Sequence, residues 1–342
     1  MGFLNGFTLG GVLMKKNFMA MWLCCIVLLL CGATAVAQTI TASIRGTVTD
    51  PSWSVVAGAS VTATNVATGV ETKTVTNSSG LYNFQFLVLG NYTVTATASG
   101  FSSTTTSPFH LQIDQIAQIN AKLQVGTSAT TVKVSAGAGS ILNTENATLG
   151  TSISAHVLET MPLPGQNVLY ATMFVPGALN PTVGSMGSAY QHSASAWDQV
   201  PSFNGNRQQG NNFVLDGVEI NETTNNTSGY TPSPQSLQEV RVITGNSDAE
   251  YGNVNGAEVL YVTKAGTNQF HGSAYEYFEN QNFAANSWGN NYNSISKGKF
   301  TQHLFGGAVG GPIFKNKLFF FADYQGLRFD NRGTGLGSVA TQ

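Results

Sequence analysis

The stretch that most constrains the fold runs from Phe203 to Gly272, where short apolar runs alternate with turn signals. Asn212-Phe-Val-Leu-Asp-Gly-Val-Glu-Ile places Asp216 and Gly217 between two such runs. Glycine tolerates positive φ and aspartate hydrogen-bonds to its own backbone, so this dipeptide predicts a tight hairpin turn. Leu237-Gln-Glu-Val-Arg-Val-Ile-Thr-Gly alternates as a strand does. The stretch therefore predicts a small domain of short strands with its charges held at turns.

Several blocks of this stretch resemble the plug of TonB-dependent outer-membrane transporters, a domain that in that family sits inside a large β-barrel. They are Asn206-Arg207, Val214-Leu-Asp-Gly-Val, Gln238-Glu-Val-Arg-Val, Ala249-Glu-Tyr-Gly and Val262-Thr-Lys. The resemblance implies a plug domain over residues 141–266. It assigns the plug motif to Arg207, Asp216, Gly217, Glu239, Arg241, Glu250, Tyr251 and Gly252.

The Oar-type branch of that family fits best, because four further blocks are similar to it. They are Met161-Pro-Leu-Pro-Gly-Gln-Asn, Val175-Pro-Gly, Gly266-Thr-Asn-Gln-Phe-His-Gly and Phe305-Gly-Gly-Ala-Val-Gly-Gly-Pro. No single block is specific, but their order and spacing make chance similarity improbable. The resemblance implies a bacterial outer-membrane protein whose N-terminal domain and plug lie in the periplasm.

Composition narrows the class of protein. Charged residues make up 9% of the chain and hydrophobic residues 42%, which suits a folded, β-rich extracytoplasmic protein rather than a disordered one. A net charge of −2 without a Lys/Arg cluster argues against nucleic-acid binding. The five scattered histidines lack zinc-site spacing, and no nucleophile elbow, Walker loop or dinucleotide fingerprint is present. We therefore expect no enzyme, no cofactor and no metal.

The first 37 residues have the parts of a secretory signal. Lys15 and Lys16 precede an apolar run that ends in Ala35-Val-Ala-Gln, which predicts cleavage after Ala37. The run is shorter than the roughly 20 residues of a membrane span, which disfavours an anchor. A lipoprotein signal at Cys31 fits poorly, and Met14 is an alternative start. All three cysteines lie in this segment, so no disulfide framework or thiolate metal site is expected downstream.

Residues 38–125 alternate with period two and carry threonine on the wet face, which predicts a small antiparallel β-sandwich. One predicted face holds Ile119, Ala121, Leu123 and Val125. The segment resembles the carboxypeptidase regulatory-like domain, a transthyretin-like sandwich without catalytic machinery. The residues that carry this resemblance are Arg45-Gly-Thr-Val-Thr-Asp, Ala57-Gly-Ala-Ser-Val-Thr, Ser79-Gly-Leu-Tyr-Asn-Phe and Gly90-Asn-Tyr-Thr-Val.

A linker over residues 126–140 contains an alternating hexamer, made of Thr131, Val132, Lys133, Val134, Ser135 and Ala136. An extended hexamer between domains can add as a strand to a partner's sheet edge. It resembles the TonB box, through which the family contacts its energy-coupling partner TonB. Alternatively, it is simply the last strand of the sandwich or the first of the plug.

Two short helices are expected in the plug. The better candidate runs from Ser152 to Thr160, with Ser152 as its cap and Pro162 as its stop. The second begins near Gln166 and ends before Pro176. The plug's sparse charges have two interpretations: they meet the polar wall of a surrounding barrel, or they serve turns and solvation.

The sequence pattern changes at residue 267, and residues 267–342 predict three amphipathic strands. These contain Gly272–Glu279, His303–Gly311 and Leu318–Arg328, with a short turn at Pro312–Lys317. Strands of about 9–11 residues with aromatic ends suit an outer-membrane barrel, of which three strands are only the beginning. The chain is therefore expected to be truncated.

The fold class expected is mainly β: a transthyretin-like sandwich, an α+β plug, and the first strands of an incomplete barrel. The function implied by the resemblance is energy-coupled transport of an unidentified substrate, with TonB and outer-membrane lipid as partners. The alternative is a secreted adhesin or polymer-binding protein built of sandwich modules. An adhesin predicts further sandwiches downstream, whereas a transporter predicts further barrel strands.

Overall fold

The computed structural model describes residues 40–126, 132–134, 148–179, 200–247, 251–252 and 254–332. The signal segment, Thr131, Ser135, Ala136 and Glu250 lie outside these ranges. Within the described residues no helix is both long and apolar enough to cross a membrane. Strands dominate, as the period-two patterns predict.

The N-terminal part is the predicted sandwich. Its strands are β1 (Ala42–Thr49), β2 (Ser60–Asn65), β3 (Glu71–Val75), β4 (Leu81–Leu87), β5 (Gly90–Thr97), β6 (Phe101–Ser102), β7 (Thr104–Thr106), β8 (Phe109–Leu111), β9 (Ile116–Gln118), β10 (Ala121–Lys122), β11 (Gln124–Val125) and β12 (Val132–Val134). One sheet has the order β10-β1-β4, with β9 also on β1; the other has the order β12-β7-β5-β2-β3, with β8 on β5. Strands β6 and β11 pair separately.

The sandwich core forms where the predicted faces meet. Ile44, Val48, Phe84 and Val94 are buried together, as alternation along β1, β4 and β5 requires. The prediction for Val125 is wrong, because this residue is 75% exposed. Its strand β11 pairs only with the two-residue β6, and so its side chain lies beyond the edge of the core.

The plug is a five-stranded mixed sheet with short helices. Its elements are β13 (Leu149–Ser154), α1 (Ala155–Thr160), α2 (Leu169–Thr172), β14 (Ala178–Leu179), β15 (Ser202–Phe203), β16 (Asn212–Leu215), β17 (Val218–Glu219), β18 (Leu237–Gly245) and β19 (Glu258–Thr263). Three single 3₁₀ turns lie at Pro164–Gln166, Gln208–Gly210 and Pro234–Ser236. The main sheet has the order β13-β18-β19-β16-β17, and only β19 and β16 are parallel.

The first predicted helix begins later than expected. Residues 152–154 belong to β13 and pair with β18, and α1 starts at Ala155. Ser152 is therefore not a cap, and Ser154, which holds the cap position, makes no side-chain cap bond. The gain from pairing with the edge of β18 outweighs the weak helical propensity of Ser-Ile-Ser.

The last part is a three-stranded antiparallel sheet formed by β20 (His271–Asn280), β21 (Lys299–Phe314) and β22 (Leu318–Arg332). Between β20 and β21 lie a 3₁₀ turn at Gln281–Phe283 and helix α3 (Trp288–Tyr292). The predicted turn at Pro312 is too early, because Pro312 pairs with Phe319 and the chain turns at 315–317. A register shift beside Pro312 accommodates its missing N–H, so the ladder continues past it.

Gly266 marks the passage from the plug to these strands. A Cβ at this position would lie 2.3 Å from the carbonyl oxygen of Phe320 and 2.7 Å from that of Gly311. Only glycine allows the chain to pass this close to the backbone of two neighbouring strands.

Candidate functional site: the two faces of the plug sheet

The Asp216–Gly217 turn is built as predicted. Both residues have positive φ, 48° and 87°, which is the backbone of a two-residue hairpin of type I′. The Asp216 carboxylate also reaches across the sheet: its Oδ1 accepts from the Thr263 N–H at 2.9 Å and its Oδ2 from the Thr263 hydroxyl at 2.8 Å. Asp216 therefore fixes the turn and joins β16 to the end of β19.

The two faces of the plug sheet are covered by different parts of the chain. Val240, Val242, Phe213 and Tyr261 face the helices α1 and α2 and share a core with Leu158 and Leu169. On the other face Ile243, Leu260 and Val262 join the core of the sandwich. Each large apolar side chain buried in this way contributes about 1.5–3 kcal/mol. The sandwich and the plug thus share a hydrophobic core.

Glu239 and Arg241 lie on the face that the sandwich covers. They alternate with Val240 and Val242 as predicted, yet they are only 2% and 6% exposed. The solvation interpretation does not describe them, because both side chains are nearly buried. The period of the strand fixed their face, and the sandwich covers that face.

The partner of this charged pair is a tight turn of the sandwich at Gln112–Gln115. The Ile113 N–H donates to Glu239 Oε1 at 3.4 Å, and Arg241 donates through Nη1 to the Ile113 carbonyl. Arg241 Nη2 also lies 3.7 Å from Asp114 Oδ2, and Glu239 Oε2 lies 3.7 Å from His110 Nε2. Ile113 is fully buried although it lies on a turn. We name these residues (His110, Ile113, Asp114, Glu239 and Arg241) the turn clamp.

A second acid on the same face of the plug sheet, Glu258, is almost fully buried. Asn212 donates to its Oε1 at 3.0 Å, and its Oε2 has no hydrogen-bond partner among the described residues. Burial, and secondarily repulsion by Glu219, raises the pKa of Glu258 from 4.5 to about 7. This carboxyl therefore carries a proton over part of the physiological pH range.

The plug contacts β20, the first strand of the β20–β22 sheet, through hydroxyl and amide groups. Ser233 and Tyr275 share a hydrogen bond of 3.2 Å, and Gln235 donates to the Tyr277 hydroxyl at 2.9 Å. These groups lie on and beside the 3₁₀ turn at Pro234–Ser236, which is itself buried. The surface of β20 that contacts the plug is therefore polar, like the interior face of an outer-membrane barrel.

Another contact joins the sandwich to the β20–β22 sheet, at the turn between β21 and β22. The Asn268 N–H donates to the Ala67 carbonyl at 3.0 Å, and its Nδ2 donates to the Thr68 carbonyl at 2.6 Å. The Asn316 N–H donates to Asn268 Oδ1 at 2.8 Å, and Asn316 Oδ1 accepts from Asn268 Nδ2 at 2.6 Å. We name Ala67, Thr68, Asn268 and Asn316 the asparagine latch.

The predicted plug motif is not one cluster in space. Asp216 and Gly217 form the turn, Glu239 and Arg241 meet the sandwich, and Arg207 is exposed before the 3₁₀ turn at Gln208–Gly210. Tyr251 packs against the sandwich core, Gly252 is exposed, and Glu250 lies outside the described residues. No group of three or more His, Cys, Asp or Glu side chains within the described ranges could hold a metal ion.

Of the TonB-box-like hexamer the structure describes Val132, Lys133 and Val134. This strand, β12, pairs in parallel with β7 of the sandwich, with Val132 opposite Thr104 and Val134 opposite Thr106. It is the terminal strand of its sheet among the described residues. Sequence reasoning missed the turn clamp, the asparagine latch and Glu258. No local signal identifies the clamp or the latch, because each joins residues far apart in the chain.

Three family models match successive parts of the chain. A carboxypeptidase regulatory-like domain matches residues 43–124, a TonB-dependent receptor plug domain matches 143–257, and an outer membrane beta barrel domain matches 262–342. The chain is also similar to the TonB-dependent transporter Oar of Myxococcus xanthus, with 28% identity over 312 residues. That match covers 86% of this chain and 27% of the relative.

Among solved structures, the siderophore receptor PirA from Acinetobacter baumannii is 21% identical, covers 52% of this chain and 24% of its own, and has a TM-score of 0.36. The match to a proposed carbohydrate binding protein from Bacteroides uniformis has 17% identity, covers 24% of this chain and 41% of that protein, and has a TM-score of 0.22. Both likenesses are too partial to bear on fold or function.

Proposed function

We propose that the whole protein carries out energy-coupled transport across the outer membrane, because this chain belongs to the Oar-type branch of the TonB-dependent receptors. The observation that carries the proposal is the unbroken order of sandwich, plug and barrel domains along one chain. The polar contacts of Ser233 and Gln235 with β20 support it, because a plug that moves needs a wall it can leave. The alternative, an adhesin of repeated sandwiches, has no such order.

The protein acts as a receptor and transporter of the outer membrane, and we propose no enzymatic activity for it. The transported substrate is unidentified. The sandwich and the plug face the periplasm in this proposal, which places β12 where a periplasmic partner can reach it.

The proposed partner is TonB, and the proposed contact is the segment from Thr131 to Ala136. As a terminal strand, β12 has a sheet edge to which a strand of TonB can add through main-chain hydrogen bonds. The plug-motif residues Arg207, Asp216, Gly217, Glu239, Arg241, Glu250, Tyr251 and Gly252 are proposed to mark the plug domain, with Asp216 in a structural role at its turn.

Binding of the purified periplasmic domain of TonB to the whole protein in detergent tests this proposal. We expect binding by the natural protein and at least a tenfold loss on deletion of residues 131–136. Deletion of the six residues 293–298, between α3 and β21, is the matched control and should leave binding unchanged. Equal binding after both deletions would remove the assigned contact, and no binding by the natural protein would remove the coupling role.

A further inference from the structure

We propose that the sandwich transmits force to the plug: the two move as one body, and pulling on β12 detaches that body from the β20–β22 sheet at the asparagine latch. The inference rests on the proposed function only for the identity of the pulling partner. Its structural basis is the contrast between the two contacts that the sandwich makes.

The first contact, between the sandwich and the plug, resists a pulling force. Ile113, Ile243, Leu260 and Val262 are buried in one shared core, and the turn clamp places Glu239 and Arg241 against the Ile113 backbone. Separating the two domains would expose apolar surface and leave two nearly buried charges without their partners. Separating the sandwich from the plug therefore requires a large free energy.

The second contact, the asparagine latch, breaks more easily than the first. It consists of hydrogen bonds between backbone and amide groups, most of them exposed, and water replaces such bonds at little net cost. Gly69 allows this approach, since its φ is 67° and a Cβ there would lie 2.5 Å from Asn316 Oδ1. The contacts of Ser233 and Gln235 with β20 are likewise hydrogen bonds of partly buried groups.

The path of the force follows from the sheet order. Strand β12 pairs with β7, β7 with β5, and β5 with β8, which leads directly into the turn at Gln112–Gln115. That turn is held by Glu239 and Arg241 of β18, the second strand of the plug sheet. A pull on β12 thus reaches the plug through the sandwich as well as along the chain.

Single-molecule pulling on the whole protein in a supported bilayer tests the inference. A biotin-acceptor peptide inserted after Gly126 is pulled with a streptavidin tip, so that the result does not depend on TonB. The introduced cysteine pairs are joined by a short bismaleimide. A second tip that carries the TonB periplasmic domain tests the proposed function separately.

Two cross-links distinguish the moving contact from the fixed one. Joining Thr68→Cys to Asn268→Cys should remove the first rupture event or at least double its force. Joining Asp114→Cys to Arg241→Cys should leave that event as in the uncross-linked protein. The reverse pattern would show that the sandwich peels away from the plug and would overturn the inference.

A pair of glycine variants gives the same answer without cross-linking. Gly69→Ala should lower the force of the first rupture at least twofold, because the new methyl group pushes Asn316 away. Gly58→Ala is the matched control, since Gly58 has a similar φ of 72° and open space around its Cβ position. It should leave the force unchanged, and a Gly69→Ala protein that ruptures like Gly58→Ala would also overturn the inference.

Discussion

The carboxylate of Asp216 accepts hydrogen bonds from both the N–H and the hydroxyl of Thr263, 47 residues further along the chain. The turn residue that defines the hairpin therefore also fixes the end of β19. Because Asp216 has a φ of 48°, its side chain and its backbone conformation contribute to stability separately.

We expect Asp216→Ala to lower the opening free energy of the plug sheet by about 2–4 kcal/mol, because it removes both bonds and places alanine in the left-handed region. Asp216→Asn tolerates that region and keeps one acceptor, so its effect should be smaller. Thr263→Val should cost about 1–3 kcal/mol through the hydroxyl bond alone. Amide hydrogen exchange of β16 and β19 measures these values, and equal effects of all three variants would contradict the account.

Arg241→Met should destabilise the contact between sandwich and plug by about 3–5 kcal/mol, because the Ile113 carbonyl loses its donor and the buried Glu239 and nearby Asp114 lose a neighbouring positive charge. Adding Asp114→Asn should restore part of the loss, since asparagine removes one negative charge from the site that Arg241 has left and tolerates the φ of 52°. Hydrogen exchange at residues 112–117 reports the change. Lys73→Met, which breaks an exposed ion pair with Glu71, should change it by less than about 1 kcal/mol.

Gly266→Ala should destabilise the junction of plug and strands by about 1–3 kcal/mol or more, because its methyl group meets two backbone carbonyls that cannot rotate away. Gly298→Ala, with nothing within 4 Å of its Cβ position, serves as the control. Thermal unfolding and exchange at residues 263–271 should separate the two variants. Equal behaviour would show that the junction has room to spare.

Glu258 should make the plug sheet more stable in acid. Its folded pKa of about 7 exceeds the ordinary 4.5, so the folded state binds the extra proton between these values. The protonation of Glu258 therefore makes its full contribution to the free energy of unfolding below pH 4.5. This contribution, on the order of 1–3 kcal/mol, is lost as the pH rises through 7.

Glu258→Gln should remove this pH dependence and slow exchange of β19 at pH 8 while leaving it nearly unchanged at pH 4.5. Glu71→Gln, at an exposed position in the sandwich, is the control and should not alter the profile. A natural protein whose β19 exchange, corrected for intrinsic rates, is independent of pH from 4.5 to 8 would refute the assignment.

Local signals in the sequence determined the elements. Asp-Gly between apolar runs required a turn with positive φ, and alternation along β1 and β18 fixed which residues share a face. Both depend on interactions within a few residues, so a single sequence displays them. The same reasoning placed the helix start three residues early, because pairing of residues 152–154 with β18 outweighs a weak local preference.

Tertiary structure alone decided what covers each face. Glu239 and Arg241 were correctly placed on the same side of one strand, but their partners at Ile113 lie 126 and 128 residues away. Alternation along a strand carries no information about which element packs on each face. A face with charged residues is therefore predicted to be solvated, even where another domain covers it. The turn clamp, the buried Glu258 and the asparagine latch exist only because folding brings these distant segments into contact.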